Sequence, residues 1–184
     1  MGVLAKTFFI ISSVVIFSFV GEEKIAWDSR SKITWDDYKG KVDMSFDDKA
    51  MTIWEIYYDF VDVENGFAFN VHALFDTKKS WSHKPHQSAD LLKHEQGHFD
   101  IAEIYTRKFR QKIHDLKMKN KTLEQDLKVA HLAVMLECDN EQAAYDDETH
   151  WGLANPAQKK WDDKIAGRLK EFEKYAEGKF TISE

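Results

Sequence analysis

One five-residue segment, His94-Glu95-Gln96-Gly97-His98, constrains the fold of this chain more than any other feature. It falls in a stretch where apolar residues recur at every third or fourth position, which is typical of an amphipathic helix. A helix turns once in about 3.6 residues, so side chains four positions apart lie on one face. The apolar stripe shares that face, so we expect both imidazoles to point inward. The stripe comprises Leu91, Ile101, Ala102, Tyr105, Phe109, Ile113 and Leu116.

Two inward imidazoles at this spacing are typical of a zinc site. Neutral histidine nitrogens bind Zn²⁺ at about 2.0–2.1 Å, and a glutamate directly after the first histidine can take a proton from an attacking water. The pattern therefore predicts His94 and His98 as zinc ligands and Glu95 as the general base of a hydrolase, most often one that cleaves peptide bonds. A histidine pair satisfied by ordinary hydrogen bonds is the alternative.

Length and composition indicate one globular domain. The chain has 184 residues, 43% of them hydrophobic, and only two prolines. This length and hydrophobic fraction are enough to bury a core. The formal net charge of −6 provides no basic patch, so nucleic acid and anionic membrane surfaces are not expected partners. The single cysteine, Cys138, lies in a helical pattern and is expected to be a small buried apolar residue.

The N-terminal segment has the pattern of an export signal. Lys6 precedes an apolar run at residues 8–20, and acidic residues follow it. Such a run is shorter than the roughly 20 residues of a membrane span but suits the core of a signal peptide. We expect residues 1–21 to be a signal peptide, or an uncleaved N-terminal membrane anchor. Residues 22–184 would then form one exported domain, periplasmic or extracellular.

Strand patterns come first in the mature chain. Residues 51–61 are rich in β-branched and aromatic residues, residues 64–66 are a turn signal, and residues 67–75 alternate. These segments predict an antiparallel hairpin. Residues 32–35 are expected to add a short strand. The face of the hairpin predicted to be buried consists of Phe67, Phe69, Val71, Ala73 and Phe75.

Helical patterns follow from residue 88 onward. Ser88 is expected to cap a helix that runs to about residue 117, Thr122 to open a second one, and Asn155-Pro156 a third. Strands followed by helices predict an α+β fold. We expect a small N-terminal antiparallel sheet and three helices, arranged as in zincins, with the H-E-x-x-H segment on the first long helix.

A catalytic zinc ion normally has three protein ligands and one open position. Residues 98–104 read HFDIAEI, so the third histidine of the metzincin pattern is absent. The end of the second helix offers three candidates, each of which would complete a known kind of zinc site. Glu141 gives a two-histidine, one-glutamate set, Asp146 an aspartate-liganded set, and His150 a three-histidine set.

Several segments together resemble a bacterial family of predicted secreted zinc-dependent proteases, long classified as a domain of unknown function. The resemblance spans most of the chain after residue 21. It implies an exported zinc protein with peptidase activity. The segments that carry it are Ile33-Thr34-Trp35 with Tyr38 and Gly40, Ser80-Trp81, residues 91–101 with their HEQGHFD string, residues 145–149, and Gln158 with Trp161.

The chain departs from this family at one position. A Thr-x-His sequence closes the second family motif, which would place a histidine at position 151, where this chain has Trp151. We expect His150, one position earlier, to be the third metal ligand, with Asp146 and Glu141 as alternatives. Tyr145 is expected either to stabilise an oxyanion or to pack in the core.

The sequence thus predicts an exported zinc metallopeptidase that acts on peptide or protein substrates. Zn²⁺ would be held by His94, His98 and His150, with Glu95 as the catalytic base. A membrane would be contacted only through the N-terminal segment. Two other functions remain open: a non-catalytic envelope protein that keeps the fold as a binding module, and a zinc hydrolase with a non-peptide substrate.

Overall fold

The computed structural model describes residues 23–116, 122–153 and 155–183, so the predicted signal peptide lies outside the described residues. A small antiparallel sheet and three helices form an α+β fold, which confirms the predicted fold class. The strands are β1 (Lys24–Ala26), β2 (Ala50–Met51), β3 (Trp54–Val63), β4 (Gly66–Asp76), β5 (Trp81–Ser82) and β6 (Lys179–Ser183). The helices are α1 (Ala89–Asp115), α2 (Leu123–Thr149) and α3 (Asn155–Glu171).

The sheet is organised around β4. Strand β3 pairs with the whole of β4 through the predicted hairpin, whose turn has Asn65 at φ 64°. Strands β1 and β6 pair with different parts of β4. The hairpin prediction is confirmed, but its first strand begins at Trp54 because Met51 pairs with Trp81 in a separate β2–β5 ribbon.

The core lies between the sheet and the helices, with α1 at its centre. The predicted inner face of β4 is confirmed for Phe69, Val71, Ala73 and Phe75, which are fully buried, whereas Phe67 is half-buried. Helix α1 packs against both neighbouring helices and against the sheet. Burial of such side chains contributes about 1.5–3 kcal/mol each. The apolar residues that α1 contributes are Phe99, Ile101, Ala102, Ile104, Tyr105, Phe109 and Ile113.

The predicted strand at residues 32–35 is wrong. Trp35–Asp37 form a short 3-10 turn, and no strand includes residues 32–34. The backbone N–H of Ile33 donates to Oε1 of Gln96 (3.0 Å), and that of Thr34 donates to the Asp37 carboxylate (2.7 Å). Side chains thus satisfy donors that a sheet would otherwise pair. The segment is docked on α1 through Gln96.

Helix α1 begins where the sequence predicts. The Ser88 hydroxyl accepts a hydrogen bond from the backbone N–H of Leu91 (3.1 Å), and Asp90 lies in the first turn. Both features stabilise a helix N-terminus, the first by satisfying a free donor and the second through the helix dipole. The metal-ligand candidates of α1 therefore lie in the second and third turns of a well-capped helix.

A buried ion cluster fixes the second half of α1. Glu103 accepts hydrogen bonds from Arg107 and Arg110, both at 2.9 Å, and all three side chains are buried. Arg110 also donates to the backbone carbonyls of Val71 and Tyr175. Buried charges are tolerated only when paired and hydrogen-bonded. The cluster thus ties α1 to β4 and to the segment that leads into β6.

Within residues 23–116, 122–153 and 155–183, none of the helices combines the length and the apolar character needed to cross a bilayer.

His72 on β4 is expected to make the free energy of unfolding depend on pH in the acid range. Its Nε2 lies 2.9 Å from Oδ1 of Asn70, and a Cβ on Gly178 would clash with its ring. Burial, followed by the positive charges of Arg110 and Lys179, lowers the pKa of His72 to about 4 from its ordinary 6.5.

We expect His72→Gln to reduce the loss of stability between about pH 6.5 and pH 4. In this range the unfolded chain binds a proton at His72 before the folded chain does, so the free energy of unfolding falls as pH falls. Above pH 6.5 the ring is neutral in both states and makes no such contribution. Urea denaturation at several pH values measures the slope. An equal slope for both proteins would contradict the assignment of His72 as a half-buried, neutral histidine.

Candidate metal centre

Three ligand atoms from two helices converge at one point. The Oδ1 atom of Asp146 on α2 lies 3.1 Å from Nε2 of His94 and 3.0 Å from Nε2 of His98, both on α1. The two Nε2 atoms are 3.2 Å apart. Across the described part of the chain, this is the group of three histidine, cysteine or acidic side chains with the spacing of a metal site.

The spacing fits a tetrahedral ion. Bonds of about 2.0–2.1 Å from a tetrahedral zinc place neighbouring ligand atoms about 3.3–3.4 Å apart. The three distances of 3.0–3.2 Å are only slightly shorter. Two imidazoles and one carboxylate are also a donor set that zinc accepts while keeping a fourth position open.

Gln142 on α2 fixes the tautomer of His98. Its Nε2 donates to the backbone carbonyl of His98 (2.9 Å), so its Oε1 is the atom 2.6 Å from Nδ1 of that ring. An amide oxygen only accepts, and therefore Nδ1 of His98 carries the proton. The neutral ring then has its lone pair on Nε2, the nitrogen that points at Asp146.

Gln158 on α3 does the same for His94. Its Nε2 donates to the Tyr145 hydroxyl (2.7 Å) and to Asp162 (2.8 Å), and its Oε1 lies 3.1 Å from Nδ1 of His94. Metal-binding histidines commonly donate their other N–H to such a partner, which fixes the ring. Two lone pairs and a carboxylate oxygen thus face one another, an arrangement that calls for a cation.

Tyr145 packs directly against both rings. It stacks on His94 (centroids 4.6 Å apart, 17° between planes) and lies edge-on to His98. Its hydroxyl donates to the backbone carbonyl of His94 (3.1 Å) and is fully buried. The hydroxyl proton is therefore used within the protein, which matches the core role expected for Tyr145. The close approach requires Gly97, since a Cβ there would overlap the tyrosine hydroxyl.

The charges of the cluster reinforce one another. Burial raises the pKa of Asp146, but the two imidazoles that face it more than offset this and hold the pKa well below its usual range. Burial lowers the pKa of His98, yet the adjacent Asp146 and the negative charge of Glu95 raise it above its usual value. The centre is therefore an anionic site that favours a bound cation.

Solvent reaches the cluster from the α2 side. The exposed fraction of the side chain is 2% for His94, 13% for His98 and 31% for Asp146. Two candidate ligands are thus held in the protein interior while the third is half-buried, which is compatible with an open coordination position.

The structure does not bring His150 to this cluster. Helix α2 ends at Thr149, and His150 caps it in a left-handed conformation (φ 48°) with an exposed side chain. Glu141, the other alternative, forms ion pairs with Lys164 and Arg168 on α3. Of the three candidates for a third ligand, only Asp146 lies beside the two histidines.

The turn after α2 is strained and touches the candidate metal centre. His150, Trp151 and Gly152 all have positive φ angles (48°, 52° and 79°). Non-glycine residues in this region cost on the order of 1–3 kcal/mol each. Gly152 packs on His94 so closely that a Cβ would lie 2.8 Å from the histidine Cβ. The turn therefore supports the ring that it covers.

Glu95 is adjacent to the first ligand and is 4% exposed. Its Oε2 accepts a hydrogen bond from the Thr52 hydroxyl (2.6 Å), which in turn lies 2.6 Å from the hydroxyl of Tyr38. The sequence assigned no role to Thr52 or to Gln142. A signal existed for Gln142, which falls at helical spacing between the apolar Cys138 and Tyr145. The sequence carries no comparable signal for Thr52.

The fold and site thus define an α+β protein with a His-His-Asp cluster beside a buried glutamate. Residues 71–152 match a family described as bacterial protein of unknown function (DUF922). The match covers less than half of the chain but includes the three clustered side chains and Glu95. Its description names no activity. No curated protein and no solved structure matches the chain.

We expect Gly97→Ala to destabilise the protein by about 1–3 kcal/mol, because the added methyl group forces α1 and Tyr145 apart. Urea denaturation measures the change. The matched control is Gly167→Ala on α3, where nothing beyond the local helix backbone lies within 4 Å of the new methyl group. This control should be neutral or slightly stabilising, as alanine favours helices over glycine. Equal effects of the two substitutions would rule out the proposed contact.

Proposed function

We propose that this protein is an exported zinc-dependent hydrolase of peptide bonds. The observation that carries the proposal is the convergence of the His94, His98 and Asp146 ligand atoms at 3.0–3.2 Å, with Glu95 adjacent on the same helix. An ion held by three protein ligands keeps one position for catalysis. The same helix thus supplies two ligands and a candidate base, as the H-E-x-x-H pattern requires.

In this proposal His94 and His98 bind through Nε2 and Asp146 through a carboxylate oxygen. Gln142 and Gln158 keep both rings in the tautomer that has a lone pair on Nε2. Bound zinc would polarise the scissile carbonyl and make water more acidic. The protein would contribute the carboxylate charge of Asp146 and the fixed orientation of both imidazole rings. It would also exclude bulk water on the α1 side.

Glu95 is the general base. Its carboxylate takes one proton from the attacking water as the water oxygen forms a bond to the carbonyl carbon. It then transfers that proton to the leaving nitrogen as the C–N bond breaks, so Glu95 ends the cycle ionised. Its burial beside the ligand pair suits this role, since a base must lie within reach of the proton it removes.

We expect Glu95→Gln to lower kcat by about 10²–10⁴-fold without loss of zinc, because an amide accepts no proton. Hydrolysis of an unfolded protein and zinc content per chain are measured together. The control Glu55→Gln removes a carboxylate on β3 that pairs with Lys24, away from the centre, and should leave kcat unchanged.

Two results would lead to other functions, and a third would change the role of Glu95. A zinc-loaded wild type that cleaves no peptide but binds one favours the binding module, for which the Trp151 departure is the motivating observation. Cleavage of esters or other acyl compounds alone favours a non-peptide substrate. Full activity of the Glu95→Gln protein would remove Glu95 as the base.

Zinc binding by two variants, Asp146→Ala and His150→Ala, tests which residue is the third ligand. Asp146→Ala should weaken zinc binding by at least about 100-fold, more than removal of a group that only supports a ligand. His150→Ala should change it by less than about twofold, because this exposed side chain lies outside the cluster. Competition with a chelator measures both affinities. The reverse order would restore His150 as the ligand.

A further inference from the structure

A partly buried hydrogen-bond chain ends on Glu95. The Thr52 hydroxyl, just after β2, lies 2.6 Å from Oε2 of Glu95, and the Tyr38 hydroxyl lies 2.6 Å from Oγ1 of Thr52. The three groups come from α1, from the β2–β3 connection and from the segment docked on α1 through Gln96. Residues far apart in sequence thus form one contact chain.

The direction of the chain is fixed. A threonine hydroxyl has one proton, and Thr52 gives it to the Glu95 carboxylate, which can only accept. The Tyr38 hydroxyl must therefore donate to Thr52. Burial, followed by the negative charge of Glu95, raises the pKa of Tyr38 well above its ordinary value, so the phenol keeps the proton that it donates.

Tyr38 is itself firmly held. Its ring packs edge-on against Phe75 of β4 (centroids 5.2 Å apart) and lies 5.0 Å from the ring of Trp35. Phe75 is fully buried, so the donor end of the chain is anchored in the core. A hydrogen bond from a fixed donor to a carboxylate is about twice as strong as one between neutral groups.

We propose that Tyr38 and Thr52 are positioning residues that commit Oε2 of Glu95 to a hydrogen bond and leave Oε1 as the proton-accepting atom. The inference rests on the proposed function, because it assumes that Glu95 is the base. In the first step a water O–H bond breaks, its proton moves to Oε1, and the water oxygen bonds to the carbonyl carbon. Orientation of this kind accelerates the step because the base does not need to be reoriented.

The test uses the full-length, zinc-loaded protein and a fluorogenic peptide. Thr52→Val keeps the shape of the side chain and removes the donor. We expect kcat to fall by about tenfold or more while KM and zinc content stay within about twofold, because only orientation of the base is lost. Thr52→Ser restores the hydroxyl and should recover most of the wild-type kcat.

Tyr38→Phe should lower kcat less than Thr52→Val, and should have little further effect when Thr52 is already valine, because Tyr38 acts through Thr52. The matched control is Tyr57→Phe, which removes a phenol that donates to Asp59 on β3. This control should leave kcat unchanged.

The infrared carboxylate band of Glu95, identified by its loss in Glu95→Gln, gives a readout that does not depend on turnover. We expect Thr52→Val to shift this band. An unshifted band, an unchanged kcat, or a Thr52→Ser protein as slow as Thr52→Val would overturn the inference. A wild type that hydrolyses no peptide would instead overturn the proposed function, and with it the role of this hydrogen-bond chain in hydrolysis.

Discussion

The close packing of Tyr145 against Gly97 is the contact on which the candidate metal centre depends. With no Cβ at position 97, the phenol reaches the backbone of α1 and donates to the carbonyl of His94. This contact sets how near α2 comes to α1. Asp146 is the next residue of α2, and it consequently lies over both Nε2 atoms. The same contact therefore sets both the distance between α1 and α2 and the position of Asp146 over the two histidines.

Every residue of the His94–His98 segment has a contact that helps to build the site. Gln96 binds the backbone of Ile33 and so docks the segment that carries Tyr38. Gly97 admits Tyr145, and Glu95 receives the Thr52 hydroxyl. The H-E-x-x-H pattern leaves the positions of Gln96 and Gly97 free. In this protein these two residues place the groups that surround the histidines and the glutamate.

Features set by local periodicity could be predicted from the sequence. The hairpin, the Ser88 cap and the inward direction of His94 and His98 depend on residues within a few positions of one another. The third candidate ligand depends on where α2 stops. His150 lies four residues after Asp146 and would share its face if the helix continued, but the left-handed turn that leads to Gly152 directs it to solvent.

The partners of Glu95 could not be predicted in this way. Thr52 and Tyr38 meet it only through tertiary packing, and neither belongs to a periodic pattern. The short strand expected at residues 32–35 failed for a related reason. Its backbone donors are satisfied by Gln96 and Asp37, side chains whose positions depend on the docking of that segment.

The pairing of β6 with β4 has a consequence for how the chain is assembled. The edge of β4 at Gly66–Asn70 is completed by residues 179–183, which follow all three helices in the chain. During synthesis this edge, which carries Phe67 and Phe69, remains open until the last strand emerges. An open apolar edge is a template for pairing with other chains. A nascent chain halted after α3 would therefore be prone to self-association, although all the proposed metal ligands would already have been made.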